Sequence, residues 1–411
     1  MDPQDAALAF DSNAYTPLTV TVDGQTVNVR WYKELCYVAN PVAAAAQQSG
    51  IGGSTTIDDT RCGYESMNVF VPESAFGNQR TPIYFAVNNA GWMASYIEAS
   101  VTAGAAYNSA TSNVGAALKA GYVFVDVANR SRGLVGADGT SPGKAPAAVV
   151  DAKAAVRYLR LNDAAMPGSA ERIVVNGTSG GGALKADPAH TIPALGENFV
   201  VTSGGPGGST TKTYVNDWLD VDNAANKVRS IDMAKYLKFV ATQAALKPTP
   251  AFDGVGVHGN ITSGTETNLF GPYTQKYLNY TEFSWDHNDV AGDGSGLDDT
   301  GLTWTQYTAR RSTTVDDQLH LINPMDFVGT ATADTAPNWY VRNGTRDRDT
   351  SFIIGINLDR ALGSDPQVED LDFQLAWNQP HAGNYDVPEA MAWIAKVVSR
   401  AGSPLVPAHH Q

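Results

Sequence analysis

Three short runs that are apolar on both faces constrain this chain more than anything else in it: Ile83-Tyr84-Phe85-Ala86-Val87, Tyr122-Val123-Phe124-Val125 and Ile173-Val174-Val175. A strand with one face in water alternates apolar and polar side chains, so a strand without alternation has to be covered on both sides. Helical patterns supply the cover. Residues 114–120 lie between the first two runs. Residues 147–161 lie between the second and third, with Val149, Val150, Ala152, Val156 and Leu159 set against charges at Asp151, Lys153, Arg157 and Arg160. This order predicts βαβ units in a mostly parallel sheet flanked by helices, an α/β fold.

The chain opens differently. Leu18-Thr19-Val20-Thr21-Val22 and Thr26-Val27-Asn28-Val29-Arg30-Trp31 alternate on either side of Asp23-Gly24, the pattern of an antiparallel hairpin with a type I′ turn. Residues 67–72 alternate again. Cys36 and Cys62, the two cysteines of the 411-residue chain, flank an Ala-, Gly-, Ser- and Thr-rich excursion. Two cysteines cannot build a four-thiolate zinc site or a disulfide framework. They form one bridge, whose loop-closure entropy is worth roughly 3.5 kcal/mol, or they stay as two buried thiols. A bridge predicts an oxidising compartment, hence a secreted or periplasmic protein whose leader has been removed, because Met1-Asp2-Pro3 shows no signal sequence. Two thiols would leave the cytoplasm open.

Regular patterning weakens from about residue 186 to 318. Glycine- and threonine-rich pieces (202–211 and 261–267), an acidic loop (286–299) and an amphipathic stretch around 231–246 fill this region. It resumes with strands at 339–342 and 371–377 and an amphipathic helix at 388–399. A net charge of −14 without a basic run disfavours binding to phosphate backbones, so nucleic acid is not an expected partner. No apolar stretch approaches the ~20 residues of a bilayer-spanning helix.

The third apolar run leads directly into Gly177-Thr178-Ser179-Gly180-Gly181-Gly182-Ala183-Leu184. This is G-x-S-x-G on a tight turn between a strand and a helix, the place where it lifts a serine hydroxyl above the sheet edge. A nucleophilic serine needs a base and an acid that orients the base. The chain offers both after its last two strands. Asp347 follows the strand at 339–342, with Asp349 as the alternative acid, and His381 follows the strand at 371–377. The remaining histidines, His190, His258, His287, His320 (near a predicted strand start), His409 and His410, are read as surface or capping residues. For the oxyanion, Gly180 N–H is expected to be joined by a donor from the loop after 83–87, where Asn88-Asn89-Ala90-Gly91-Trp92 supplies Gly91 or Ala90. Gly254-Val255-Gly256-Val257-His258-Gly259 lacks the entry strand of a dinucleotide site. The loop at 286–296 lacks the glutamate that would complete a calcium site. Gly143-Lys144 is followed by Ala145, so there is no phosphate-binding loop. No metal or organic cofactor is expected.

The order Ser179, Asp347, His381 is that of α/β-hydrolases, and several stretches resemble one family of them, the bacterial tannases, esterases of galloyl groups related in chemistry to feruloyl esterases. The similar stretches are residues 151–160, Asn323-Pro324-Met325, Gly344-Thr345-Arg346-Asp347-Arg348-Asp349-Thr350, and 377–386 with Gln379-Pro380-His381-Ala382-Gly383. The resemblance covers about 65–184 and 320–400. It implies an α/β-hydrolase domain made of 1–190 and 318–411, with 191–317 as an inserted lid. It implies that Asp347 orients His381, while Asp349 and Glu282 bind the hydroxyl groups of a small aromatic ester. The family's lid lysine has no counterpart, since no lysine stands between Lys247 and Lys276. Pro188 also falls where a longer helix is expected, so the segment at 186–208 is expected to be shortened or rebuilt. Two rival readings remain at this stage, a feruloyl-type or broader aryl esterase and a non-catalytic polyphenol-binding protein of the same fold.

Overall fold

Asp23 and Gly24 adopt φ of 49° and 79°, the left-handed pair that a two-residue hairpin link requires. They join β1 (Thr16–Val22) to β2 (Gln25–Cys36), antiparallel with Val22 opposite Gln25. In this computed structural model the described residues are 3–50, 53–87, 89–96, 100–177, 192–205, 208–225, 227–243, 266–275, 278, 282, 302–310, 314–350, 352–381, 383–384 and 386–400. They divide into two compact units. One comprises Met1–Thr178, Pro248–Asn323 and Val387–Gln411, the other Ser179–Lys247 and Pro324–Asp386.

The first unit is built on a seven-stranded sheet. After β3 (Gln47–Gly50) and β4 (Gly53–Thr56), which form a separate hairpin, come β5 (Ser66–Pro72), β6 (Ile83–Val87), β7 (Ala106–Tyr107), β8 (Val123–Val127) and β9 (Ile173–Gly177). The order across the sheet is β7-β1-β2-β5-β8-β6-β9. Pairing is antiparallel from β1 to β8 and parallel from β8 through β6 to β9. β8 lies between β5 and β6 although it follows both, so the chain changes direction across the sheet at β6. Successive residues of the apolar runs serve opposite faces. Ile83 and Phe85 pack with Val123, Val125, Tyr158 and Leu159 on the face covered by the helix Ala147–Leu161. Tyr84 and Ala86 pack with Phe124, Ala117, Leu118 and Ile394 on the face covered by the helices Asn113–Lys119 and Val387–Arg400.

The helix Ala147–Leu161 corrects one detail of the amphipathic reading. Val149 and Val150 are exposed and Asp151 is buried. Arg130 explains the inversion, since its guanidinium binds Asp151 at 2.6 Å and Glu65 at 3.3 Å. Desolvation raises both carboxyl pKa values against the pull of the arginine. Removing one partner would strand a buried charge, at a cost of about 3–5 kcal/mol. Cys36 and Cys62 form the bridge, so the reading of two free thiols is set aside. The bridged excursion joins the fold through Ala44 and Ile57, which pack against Tyr64 and Leu134.

The second unit contains strands that the Thr- and Gly-rich sequence did not announce. β10 (Asn198–Gly205) pairs with β11 (Gly208–Val215), and β12 (Leu219–Asp222) pairs with β13 (Lys227–Ile231), both antiparallel. With the helix Met233–Gln243 they enclose Phe199, Trp218, Tyr236 and Phe239, which pack on Leu375 and Trp377. β14 (Asn338–Gly344) and β15 (Asp370–Ala376) run parallel in register from Asn338 with Asp370 to Gly344 with Ala376. The helix Phe352–Ser364 connects them and contributes Leu362 to a core with Phe373. His320 lies inside the helix Thr314–Ile322 of the first unit, where a strand start was expected. Asp316 and Asp317 at that helix's start and His320 near its end suit the helix dipole.

Candidate active site

β14 and β15 end level with one another, and the two loops that leave them are tied together. Thr345 N–H donates to Ala376 O at 3.0 Å and Arg346 N–H to Gln379 O at 2.9 Å. Asn378 N–H donates to Thr345 Oγ1 at 2.7 Å, and Arg346 Nε–H to Asn378 O at 2.8 Å. The approach is close enough to demand a glycine. A Cβ on Gly344 would stand 2.2 Å from Pro380 O and 2.4 Å from Gln379 O.

This junction brings together the acid and base expected from sequence. His381 Nδ1 lies 2.8 Å from Asp347 Oδ1. The same oxygen accepts from Asp349 N–H at 2.7 Å and Thr350 N–H at 3.0 Å, and Asn343 Nδ2 reaches the other carboxylate oxygen at 3.3 Å. Tyr236 O–H donates to the Asp347 carbonyl at 2.9 Å. Asp347 is buried, and the His381 side chain is 29% exposed. A buried carboxylate held by four donors has one orientation, and because a carboxylate only accepts, it places the imidazole proton on Nδ1. Asp349, the alternative acid, instead gives its N–H to Asp347 and pairs through its carboxylate with Arg348 at 3.4 Å. Among the described residues, Asp347, Asp349 and His381 present atoms of metal-ligand type within 4.8 Å of one another.

In the first unit, Val87 at the end of β6 pairs with Gly177 at the end of β9. The chain therefore leaves β6, towards Gly91, and β9 at the same edge of two adjacent parallel strands. Gly91 lies in a tight turn, Ala90–Trp92, with φ of 57°. Ser179 and Gly180 lie outside the described residues, as do His190, His258, His287, His409, His410 and the acidic loop. Glu282 is exposed. The side chains that brace the acid and base, Asn343, Thr345, Arg346 and Tyr236, were not singled out in the sequence. Only the first three adjoin a recognisable motif.

The strand order β5-β8-β6-β9 and the paired Asp347 and His381 can be set beside known proteins. A family model described as BD-FAE, of a feruloyl-esterase-related hydrolase family, matches residues 67–191. The tannase of Lactobacillus plantarum superposes with a TM-score of 0.63 at 22% identity, over 95% of this chain and 100% of that one. The tannase of Fusobacterium nucleatum does so with a TM-score of 0.63 at 22% identity, over 95% of this chain and 99% of that one. A tannin acyl hydrolase solved in complex with ethyl gallate gives a TM-score of 0.63 at 22% identity, over 95% and 99%. The fold is that of the α/β-hydrolases. A search of curated proteins returned no match. In an α/β-hydrolase, the end of the strand that β9 represents is where the nucleophile turn sits, and the ends of two later strands supply acid and base. The loops after β14 and β15 carry Asp347 and His381 here.

Proposed function

We propose that this α/β-hydrolase is a serine esterase acting on esters of small hydroxylated aromatic acids, of the tannase type. The observation that carries the reading is the 2.8 Å bond between His381 and a buried Asp347 held by three further donors, downstream of a G-x-S-x-G sequence that begins at the last residue of β9. Ser179 attacks the ester carbonyl while His381 accepts its proton, and Asp347 holds the imidazole and stabilises its charged form. Gly180 N–H, with Gly91 or Ala90 N–H, receives the tetrahedral oxyanion. His381 then protonates the leaving alcohol, and water repeats the sequence to release the acid from Ser179. The chemistry requires neither metal nor organic cofactor.

Asp349 and Glu282 are assigned to the substrate's hydroxyl groups, and residues 191–317 to a lid over it. Structural neighbours solved with ethyl gallate and with 3,4-dihydroxybenzoate support an aromatic acid as the acyl group. A feruloyl-type preference is the second reading, favoured by the BD-FAE match and by the absence of a lysine between Lys247 and Lys276. The bridge supports an extracellular or periplasmic site of action. Among the described residues no helix is long and apolar enough to cross a membrane.

Hydrolysis of methyl gallate, methyl ferulate and methyl benzoate tests the assignment. A gallate rate well above the benzoate rate, lost in Ser179→Ala, is the expected result. Ferulate fastest selects the second reading, and gallate no better than benzoate removes the tannase reading. Failure of a serine-directed phosphonate to label Ser179 leaves only a binding protein.

A further inference from the structure

The loop that leaves β6 is held from behind. Gly91 and Trp92 are consecutive left-handed residues, with φ of 57° and 59°. Trp92 carries a Cβ and is strained there by about 1–2 kcal/mol, so contacts outside the turn must hold it. Two buried donors do so. Arg132 Nε–H donates to Gly91 O at 2.7 Å, and Ser131 Oγ–H to Trp92 O at 2.5 Å. Arg132 is 3% exposed and Ser131 is fully buried. The same segment takes Ala94 N–H on Arg132 O at 3.0 Å. Gly143 backs it so tightly that a Cβ there would fall 1.7 Å from Ser131 O. Asn89 Nδ2 closes the loop on Met93 O at 2.8 Å. Within the turn, Trp92 N–H and Met93 N–H are taken by Asn89 O and Ala90 O, and those of Ala90 and Gly91 lie outside these bonds.

We propose that Arg132, assisted by Ser131, is a positioning residue for acyl transfer: it locks the Gly91 and Trp92 peptides so that the loop's N–H groups face the developing oxyanion. The inference deepens the esterase reading and rests on it. A hydrogen bond from a charged donor is roughly twice as strong as a neutral one, which suits a clamp that must outweigh the strain at Trp92. The buried positive charge also favours negative charge forming at the sheet edge from which the loop leaves.

The test compares Arg132→Gln, Arg132→Lys and Ser131→Ala on whichever methyl ester the unaltered enzyme cleaves. An arylboronic acid, which forms a tetrahedral anion on the serine, is titrated beside the free carboxylic acid product, which does not. In Arg132→Gln, kcat is expected to fall on the order of 10²-fold with KM within about threefold, and boronate binding to weaken by a similar factor while product binding holds. Arg132→Lys, which keeps the charge, should recover about tenfold of the lost rate. If the Gln variant does not fold, Arg132→Lys and Ser131→Ala carry the same split between boronate and product. Unchanged kcat in the folded variants overturns the proposal, and so does an equal loss of boronate and product binding, which marks a merely structural role. No turnover by the unaltered protein defeats the esterase reading itself.

Discussion

Two carboxylates two residues apart sit in different surroundings. Asp347 is buried beneath backbone N–H donors and His381, whereas Asp349 is partly exposed beside Arg348. Asp347→Asn should lower kcat by about 10⁴-fold on every ester, because an amide cannot hold the imidazole in the reactive tautomer. Asp349→Asn should instead raise KM for methyl gallate by about tenfold and leave methyl benzoate unchanged, since only a hydroxylated ring offers it a donor. Steady-state kinetics on both esters checks the contrast, and equal effects of Asp349→Asn on the two would remove Asp349 from the ring-binding role. Lys144 makes a different residue-scale prediction. It is 1% exposed, and burial lowers its pKa from 10.5 to about 7. Between those values the unfolded chain holds a proton that the folded one has released, so raising the pH favours folding there, by at most about 1.4 kcal/mol per unit. Urea unfolding from pH 7 to 9.5 should show the stability of the unaltered protein rising relative to Lys144→Met. Parallel curves would mean that the amine keeps an ordinary pKa.

At the scale of elements, the site depends on how the ends of β14 and β15 are joined. Gly344→Ala places a methyl group against the backbone oxygens of Gln379 and Pro380, which have no side-chain rotamer with which to yield. The His381 loop must then move by a fraction of an ångström or more, and displacement of about 1 Å costs on the order of 10²-fold in rate. We expect kcat to fall by that factor with a modest drop in melting temperature. Full activity in Gly344→Ala would show that the junction tolerates movement. Elements differ in how plainly the sequence announces them. β6, β8 and β9 were legible because a strand covered on both faces leaves an uninterrupted apolar run, and the hairpin β1–β2 because Asp23-Gly24 is a turn with few alternatives. β10 and β11 were not legible, since threonine and glycine in exposed stretches such as Thr210-Thr211-Lys212-Thr213 give no apolar period, and β12 and β13, four and five residues long, are too short to show one. The acid and histidine were legible from chain order. Their braces were not, because Tyr236 meets Asp347 across 111 residues and Arg132 meets Gly91 across 41, and no local pattern encodes a contact of that separation.

At the scale of the whole molecule, the dominant quantity is a net charge of −14 on 411 residues. Such a charge sets a negative potential that acts on substrates before any specific contact forms. Neutral methyl esters do not feel it, whereas an ester whose alcohol portion carries a free carboxylate is repelled. The carboxylic acid product is also an anion at neutral pH, so the same field speeds its departure and opposes its return. The range of the effect is set by salt, since the Debye length is about 30 Å at 0.01 M and about 8 Å at 0.15 M. The prediction is therefore a difference in salt response. Between those concentrations kcat/KM for the carboxylate-bearing ester should rise several-fold, roughly as the screening argument requires, while the methyl ester of the same acid stays within about twofold. An ester with a cationic alcohol portion should respond in the opposite direction. If all three esters respond alike, the acidic surface does not reach the site, and the charge serves only to keep copies of the protein apart in solution.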